Sequence, residues 1–144
     1  MSFENPTREQ IGDLLASAGN IAVVGLSDKT DRTSYMVANA MQSRGYRIIP
    51  VNPSVDGEIL GEKCYHTLAD IPEPVDIVNV FRRSEYCAEV AKEAAAIHAN
   101  VLWLQQGIIN QEAAEICAEN GMTAIMDRCI MVEEAIAVRG RGGN

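Results

Sequence analysis

Asn20-Ile21-Ala22-Val23-Val24-Gly25-Leu26-Ser27-Asp28-Lys29-Thr30-Asp31-Arg32-Thr33-Ser34 joins an apolar run, a polar turn and the start of a helix. Ile21 to Val24 is short and mostly β-branched, the pattern of a strand covered on both faces in a parallel sheet. Gly25 ends it. Ser34 stands where an N-cap is expected, because Met36, Val37, Ala40 and Met41 follow at helical spacing before Gly45. A strand, a small-residue turn and a helix N-terminus form an anion site: free N–H groups and the helix dipole face the loop. Lys29 and Arg32 add formal charge within it. Phosphate is the expected guest.

Outward from this stretch, apolar strands alternate with helical segments. Thr7 and Gln10 form a capping-box pattern ahead of Ile11, Leu14 and Leu15. Tyr46 to Val51 reads as a second strand that Asn52-Pro53 breaks, with Pro50 inside it demoting it from a central place in the sheet. Val75 to Val80, Val101 to Leu104 and Met122 to Met126 read as three more, with Ser84 and Asn110 placed to cap the helices between them. The alternation predicts an α/β fold, a Rossmann-like doubly wound parallel sheet of five strands with helices on both faces. The expected strand order is 3-2-1-4-5. One domain is expected over residues 1–138, followed by a mobile tail at 139–144.

The chain has 144 residues and a formal net charge of -8. That balance argues against a nucleic-acid partner, whose affinity comes from many cationic contacts to phosphate. No apolar run reaches the ~20 residues that span a bilayer, and Glu4 and Pro6 stand where a secretory signal would be basic and apolar. A cytoplasmic protein with no membrane partner is expected. Cys64, Cys87, Cys117 and Cys129 lack zinc spacing and are expected to be free thiols, three of them plain core groups. Cys129 is the exception, since it follows Arg128 on the expected ligand rim and an adjacent cation favours the thiolate. No metal is expected. His66 and His98 show no spacing that implies catalysis, and Trp103, inside a strand, is expected to pack in the core.

In a doubly wound sheet ligands bind beyond the carboxyl ends of the strands, where the order reverses. Residues 25–34, Asn52-Pro53, Phe81-Arg82-Arg83, Gln105-Gln106-Gly107 and Asp127-Arg128-Cys129 fall on that rim. A dinucleotide site would need G-x-G-x-x-G and an acid after the second strand; here Ser27 holds the second glycine position and Asn52 the acid position. NAD is disfavoured, while a looser phosphate cradle survives.

Residues 20–34, Arg47 to Pro53, Gly61-Glu62-Lys63, residues 76–84, Trp103-Leu104-Gln105 with Gly107-Ile108, and residues 126–129 together resemble the small bacterial CoA-binding proteins. These stand-alone Rossmann-like domains are similar to the N-terminal domain of the succinyl-CoA synthetase alpha subunit. The resemblance covers about residues 7–138 and rests on several motifs in one order. It implies a site for coenzyme A or an acyl-CoA in which Gly25, Ser27, Lys29, Arg32 and Ser34 hold phosphates. By the same resemblance Asn52 and Pro53 line the nucleotide side, Val80, Phe81 and Arg82 meet adenine or pantetheine, and Gln105 and Gly107 lie where the pantetheine arm emerges. The ligase's phosphohistidine domain has no counterpart in the sequence, so non-catalytic binding is expected. The alternatives are an NAD(P)-binding redox protein or sensor, and a subunit that completes a ligase-type enzyme with a separate protein partner. A homo-oligomer is left open.

Overall fold

The computed structural model describes residues 3–140. Five parallel strands form the main sheet: β1 (Asn20–Val24), β2 (Arg47–Val51), β5 (Ile77–Val80), β6 (Val101–Leu104) and β7 (Thr123–Ile125). Two-residue strands β3 (Glu58–Ile59) and β4 (Glu62–Lys63) make a separate hairpin. The helices are α1 (Arg8–Ser17), α2 (Thr33–Ser43), α3 (Cys87–Ala96), α4 (Gln111–Glu119) and α5 (Ile130–Glu134), the last continuing as a π-helical turn at Ala135–Arg139. None is long and apolar enough to cross a membrane, among the described residues.

Alternation along each strand builds two cores. Ile21, Val23, Ile48, Ile77 and Trp103 pack with Ile11, Leu15, Val37 and Met41 on one face. Ala22, Val24, Ile49, Val78 and Leu102 pack with Val90, Ala94 and Cys117 on the other. This is the three-layer arrangement that the buried apolar runs require. Trp103 is wholly buried, as expected. The capping box of Thr7 and Gln10 forms, and Asn110 caps α4 by accepting from the Ala113 N–H at 2.8 Å.

The strand order is β2-β1-β5-β6-β7, which corrects the expected 3-2-1-4-5. Pro50 supplies the reason. It lies within β2, opposite Val23, and the strand ends at Val51, ahead of Asn52-Pro53. Its carbonyl accepts from the Tyr65 N–H at 3.0 Å on the outer side, so its missing N–H falls on that side too. No full strand can add there. Instead Tyr65 occupies the edge through a parallel bridge to Val51, and Asn52 N–H donates back to its carbonyl at 2.9 Å. The chain then crosses to the free side of β1. There Asp76 seats it: the carboxylate accepts from the Gly19 and Asn20 N–H groups at 2.9 and 2.8 Å, and the Asp76 N–H donates to the Asn20 carbonyl at 3.0 Å.

Two expected caps are also corrected. Ser34 lies inside α2, whose N-cap is Arg32, and Ser84 opens a 3-10 turn (Ser84–Tyr86) ahead of α3. Both hydroxyls serve distant backbone instead, Ser34 accepting from Ser27 N–H and Ser84 from Ile109 N–H. Helical structure also continues beyond residue 138. Glu134, 1% exposed, accepts from Arg44 Nη1 at 3.0 Å and Arg139 Nε at 2.9 Å, so Arg139 belongs to the folded body and not to a tail. Residues 141–144 of the expected tail lie outside the described residues.

All four cysteines are free. Burial pushes the Cys64 and Cys87 thiols up and the Cys117 thiol to about 11, from an ordinary 9.0. The unfolded chain therefore releases the Cys117 proton near pH 9.0 while the folded chain holds it to about 11. The stability linked to this thiol is complete below pH 9.0 and is lost as pH rises towards 11. The urea midpoint is expected to fall across that window, and Cys117→Ala to flatten the fall. Tyr46, whose hydroxyl is raised to about 12 by burial and by Glu134, is expected to sustain the remaining decline at higher pH. Separately, Asp76→Ala leaves two strand-end N–H groups unpaired and is expected to cost about 2 kcal/mol in urea denaturation.

Candidate functional site

With β2 and β5 on opposite sides of β1, the connections diverge between β1 and β5, and the loops after these two strands face one crevice. Register sets their separation. Val24 lies opposite Val80, so Gly25 and Phe81 follow side by side, with the Phe81 N–H donating to the Val24 carbonyl at 2.9 Å. Gly25 has φ +86, and a Cβ there would stand 2.6 Å from the Phe81 carbonyl oxygen. Only glycine permits this approach.

The loop after β1 is held from within. The Ser27 N–H donates to Ser34 Oγ at 3.0 Å, and the Lys29 N–H donates to Ser27 Oγ at 3.0 Å. Asn52 clamps it from the neighbouring strand, its Nδ2 donating to the Leu26 carbonyl at 3.0 Å while its Oδ1 accepts from Ser54 N–H. Lys29 and Arg32 are exposed and have no ion pair among the described residues. No side chain caps α2 at Arg32, so its first-turn N–H groups face the same loop.

Two clefts meet along Phe81, Arg82 and Arg83. The first, of 520 Å³, runs from Gly25, Asn52 and Pro53 to Thr67, Leu68 and Tyr86. The second, of 490 Å³, lies between Thr33, Gln105, Ile108 and Cys129. A larger depression of 710 Å³ beside the β3–β4 hairpin is walled by Asp56, Glu58 and Asp70 against Lys63 and His66, an acidic surface unsuited to phosphate. His66, whose Nε2 lies 2.9 Å from Asp56 Oδ1, borders both this depression and the first cleft.

The expected site residues thus divide by role. Gly25, Asn52, Pro53, Phe81 and Arg82 line the first cleft, and Gln105 borders the second. Ser27, Lys29 and Arg32 lie in the loop beside them, whereas Ser34 is buried and braces it. Val80 is fully buried beneath the rim and presents no surface. Gln105 is 5% exposed; its Oε1 accepts from Asn79 Nδ2 and from Ile130 N–H, each at 3.2 Å, which ties β5 and β6 to α5. Gly107, at φ +86, donates its N–H to Asp127 Oδ1 at 2.7 Å and shapes the turn after β6. Sequence reasoning passed over Thr67, Leu68 and Tyr86 as cleft walls. Thr67 and Leu68 arrive through an irregular connection with no periodicity to read, but Tyr86 sits four residues after Arg82, a spacing that marks helical neighbours.

The residues present suit a phosphate-rich ligand on their own terms, with unpaired cations, an uncapped helix start and no acid after β2. Comparison with known proteins points the same way. The family model described as "CoA binding domain" matches residues 19–135. The Bacillus subtilis protein YneT, itself uncharacterised, is 52% identical over 134 residues, which is 93% of this chain and 98% of that protein. A Thermus thermophilus structure, cell-free ID.343, superposes with a TM-score of 0.87 at 34% identity, covering 92% of this chain and 99% of that one. The ADP-forming acetate–CoA ligase II of Archaeoglobus fulgidus is 32% identical over 78 residues, 53% of this chain but only 11% of that enzyme.

Gly25→Ala would force both a positive φ on an L-residue and a clash with the Phe81 carbonyl. The variant is expected to lose about 3 kcal/mol of stability in chemical denaturation.

Proposed function

The chain belongs to the CoA-binding domain family, and from that premise we propose that it binds coenzyme A or an acyl-CoA without acting on it chemically. The observation that carries this reading is the set of unpaired cations, Lys29, Arg32 and Arg82, gathered around the uncapped N-terminus of α2 where the β1 and β5 loops meet. Coenzyme A carries a pyrophosphate and a 3′-phosphate, more negative charge than NAD, and its ribose does not call for an acid after β2. Asn52 is consistent with that preference.

In this reading the free first-turn N–H groups of α2 donate to phosphate oxygens and Lys29 and Arg32 add charge, while Gly25 and Ser27, whose own N–H groups go to the Val51 carbonyl and to Ser34 Oγ, shape the loop around the ligand. Ser34 and Asn52 keep the loop in place, so their contribution is to order it before binding. Pro53 lies on the nucleotide side with Thr67 and Leu68, and Phe81 and Arg82 form the ridge between the two clefts. The second cleft, bordered by Gln105 and leading to Gly107, receives the pantetheine arm, and Cys129 lies on its wall. Binding in a cytoplasmic setting follows from the ligand, which is an intracellular cofactor.

Native mass spectrometry of freshly purified protein is expected to show a retained ligand at the mass of coenzyme A or an acyl derivative. By titration calorimetry, Arg32→Ala is expected to weaken coenzyme A binding roughly tenfold, in line with loss of one charge-assisted phosphate contact. Dephospho-CoA is expected to bind more weakly than coenzyme A. No saturable heat with coenzyme A would overturn the reading.

A further inference from the structure

Arg82 follows β5 at the point where the two clefts join, and it lines both. It is exposed, and no carboxylate within 4.0 Å neutralises it among the described residues, whereas the adjacent Arg83 faces Glu85 at 3.9 Å. A long exposed guanidinium with no partner ordinarily samples many rotamers. Two contacts restrict this one. Its Cγ packs against Gly25, 3.4 Å from where a Cβ would be. Its Cζ lies 4.5 Å from the centre of the Tyr86 ring, within cation–π range.

Tyr86 is itself unusual. It is a large aromatic left 44% exposed, at the end of the 3-10 turn that precedes α3, with its ring on the wall of the first cleft. Its hydroxyl has no hydrogen bond among the described residues, so the ring and not the hydroxyl is its evident point of engagement. The turn fixes the backbone that carries this ring, because the Tyr86 N–H donates to the Arg83 carbonyl at 3.0 Å and the buried Cys87 that follows anchors the start of α3.

We propose that Tyr86 is a positioning residue for phosphate recognition. Its ring holds the Arg82 guanidinium at the junction of the clefts, and the donor edges of that guanidinium remain free for an oxyanion. This rests on the coenzyme A reading of the site. The arrangement suits a phosphate better than a carboxylate partner from the protein, since the ring favours the cation without occupying its N–H groups. Pre-setting the guanidinium also removes part of the entropy that a free arginine would lose on binding.

Titration calorimetry with coenzyme A and, separately, with inorganic pyrophosphate tests it. Tyr86→Leu is expected to weaken binding of both roughly fivefold, the size of a partly exposed cation–π contact, while Tyr86→Phe keeps near wild-type affinity because the ring remains. In an Arg82→Gln background, Tyr86→Leu is expected to have no further effect. A general structural role for Tyr86 would instead weaken binding equally in both backgrounds, and that result overturns the proposal, as does an unchanged affinity in Tyr86→Leu. If the wild-type protein binds pyrophosphate but not coenzyme A, the coenzyme reading fails while the Tyr86 series still decides the positioning role. If it binds neither, both fall.

Discussion

The Asp76 carboxylate is the constraint from which the site follows. At the end of the sheet opposite the candidate site, it accepts from Gly19 and from Asn20, the first residue of β1, and the Asp76 carbonyl accepts from the Asn100 and Val101 N–H groups at 3.1 and 3.0 Å. One residue therefore sets the start of β1, β5 and β6 together. Strands of nearly equal length that start together also end together. This common start brings Gly25, Phe81 and Gln105 to one rim, and it makes the glycine at residue 25 obligatory, because the Phe81 carbonyl arrives beside it.

The rim is then braced from below by polar groups that carry no net charge. Asn79, 1% exposed, donates to the Trp103 carbonyl and to Gln105. Trp103 donates its ring N–H to the Arg128 carbonyl at 2.9 Å, holding the loop after β7 against the end of β6. No buried side-chain nitrogen or oxygen lacks a partner among the described residues. A fully satisfied network of this kind rigidifies the floor. Above it Lys29, Arg32 and Arg82 have no ion pair among the described residues, an arrangement that favours binding of an external anion over internal pairing.

Much of this was legible in the sequence because it is local. The β-branched run before Gly25, the capping box at Thr7 and the Asn110 cap depend on neighbours within a few residues, and each formed as written. The strand order was not local. It turned on which side of β2 Pro50 leaves without a donor, and that is decided only when Tyr65 returns from fifteen residues away to take the edge. Ser34 and Ser84 likewise have the residue type of a cap, but Ser27 and Ile109 claim their hydroxyls through tertiary contacts. The loop residues of the site could be named from the sequence, whereas the division between those that face the clefts and those that brace them needed the hydrogen bonds. Asn52 and Gln105 have the chemistry of ligand contacts and are spent largely on the protein's own backbone.

Asn5 does something at the far edge that resembles what Tyr65 does at the near one. Its side-chain amide donates to the Met126 carbonyl and accepts from the Met126 N–H, both at 2.8 Å, so it satisfies the chain just past β7 as a neighbouring strand would. With Tyr65 alongside β2, each outer strand meets a local stopper. Unpaired strand edges are the usual templates for fibril growth and for strand exchange between copies. Here each edge is interrupted by a residue of the chain itself, which discourages strand-to-strand association there.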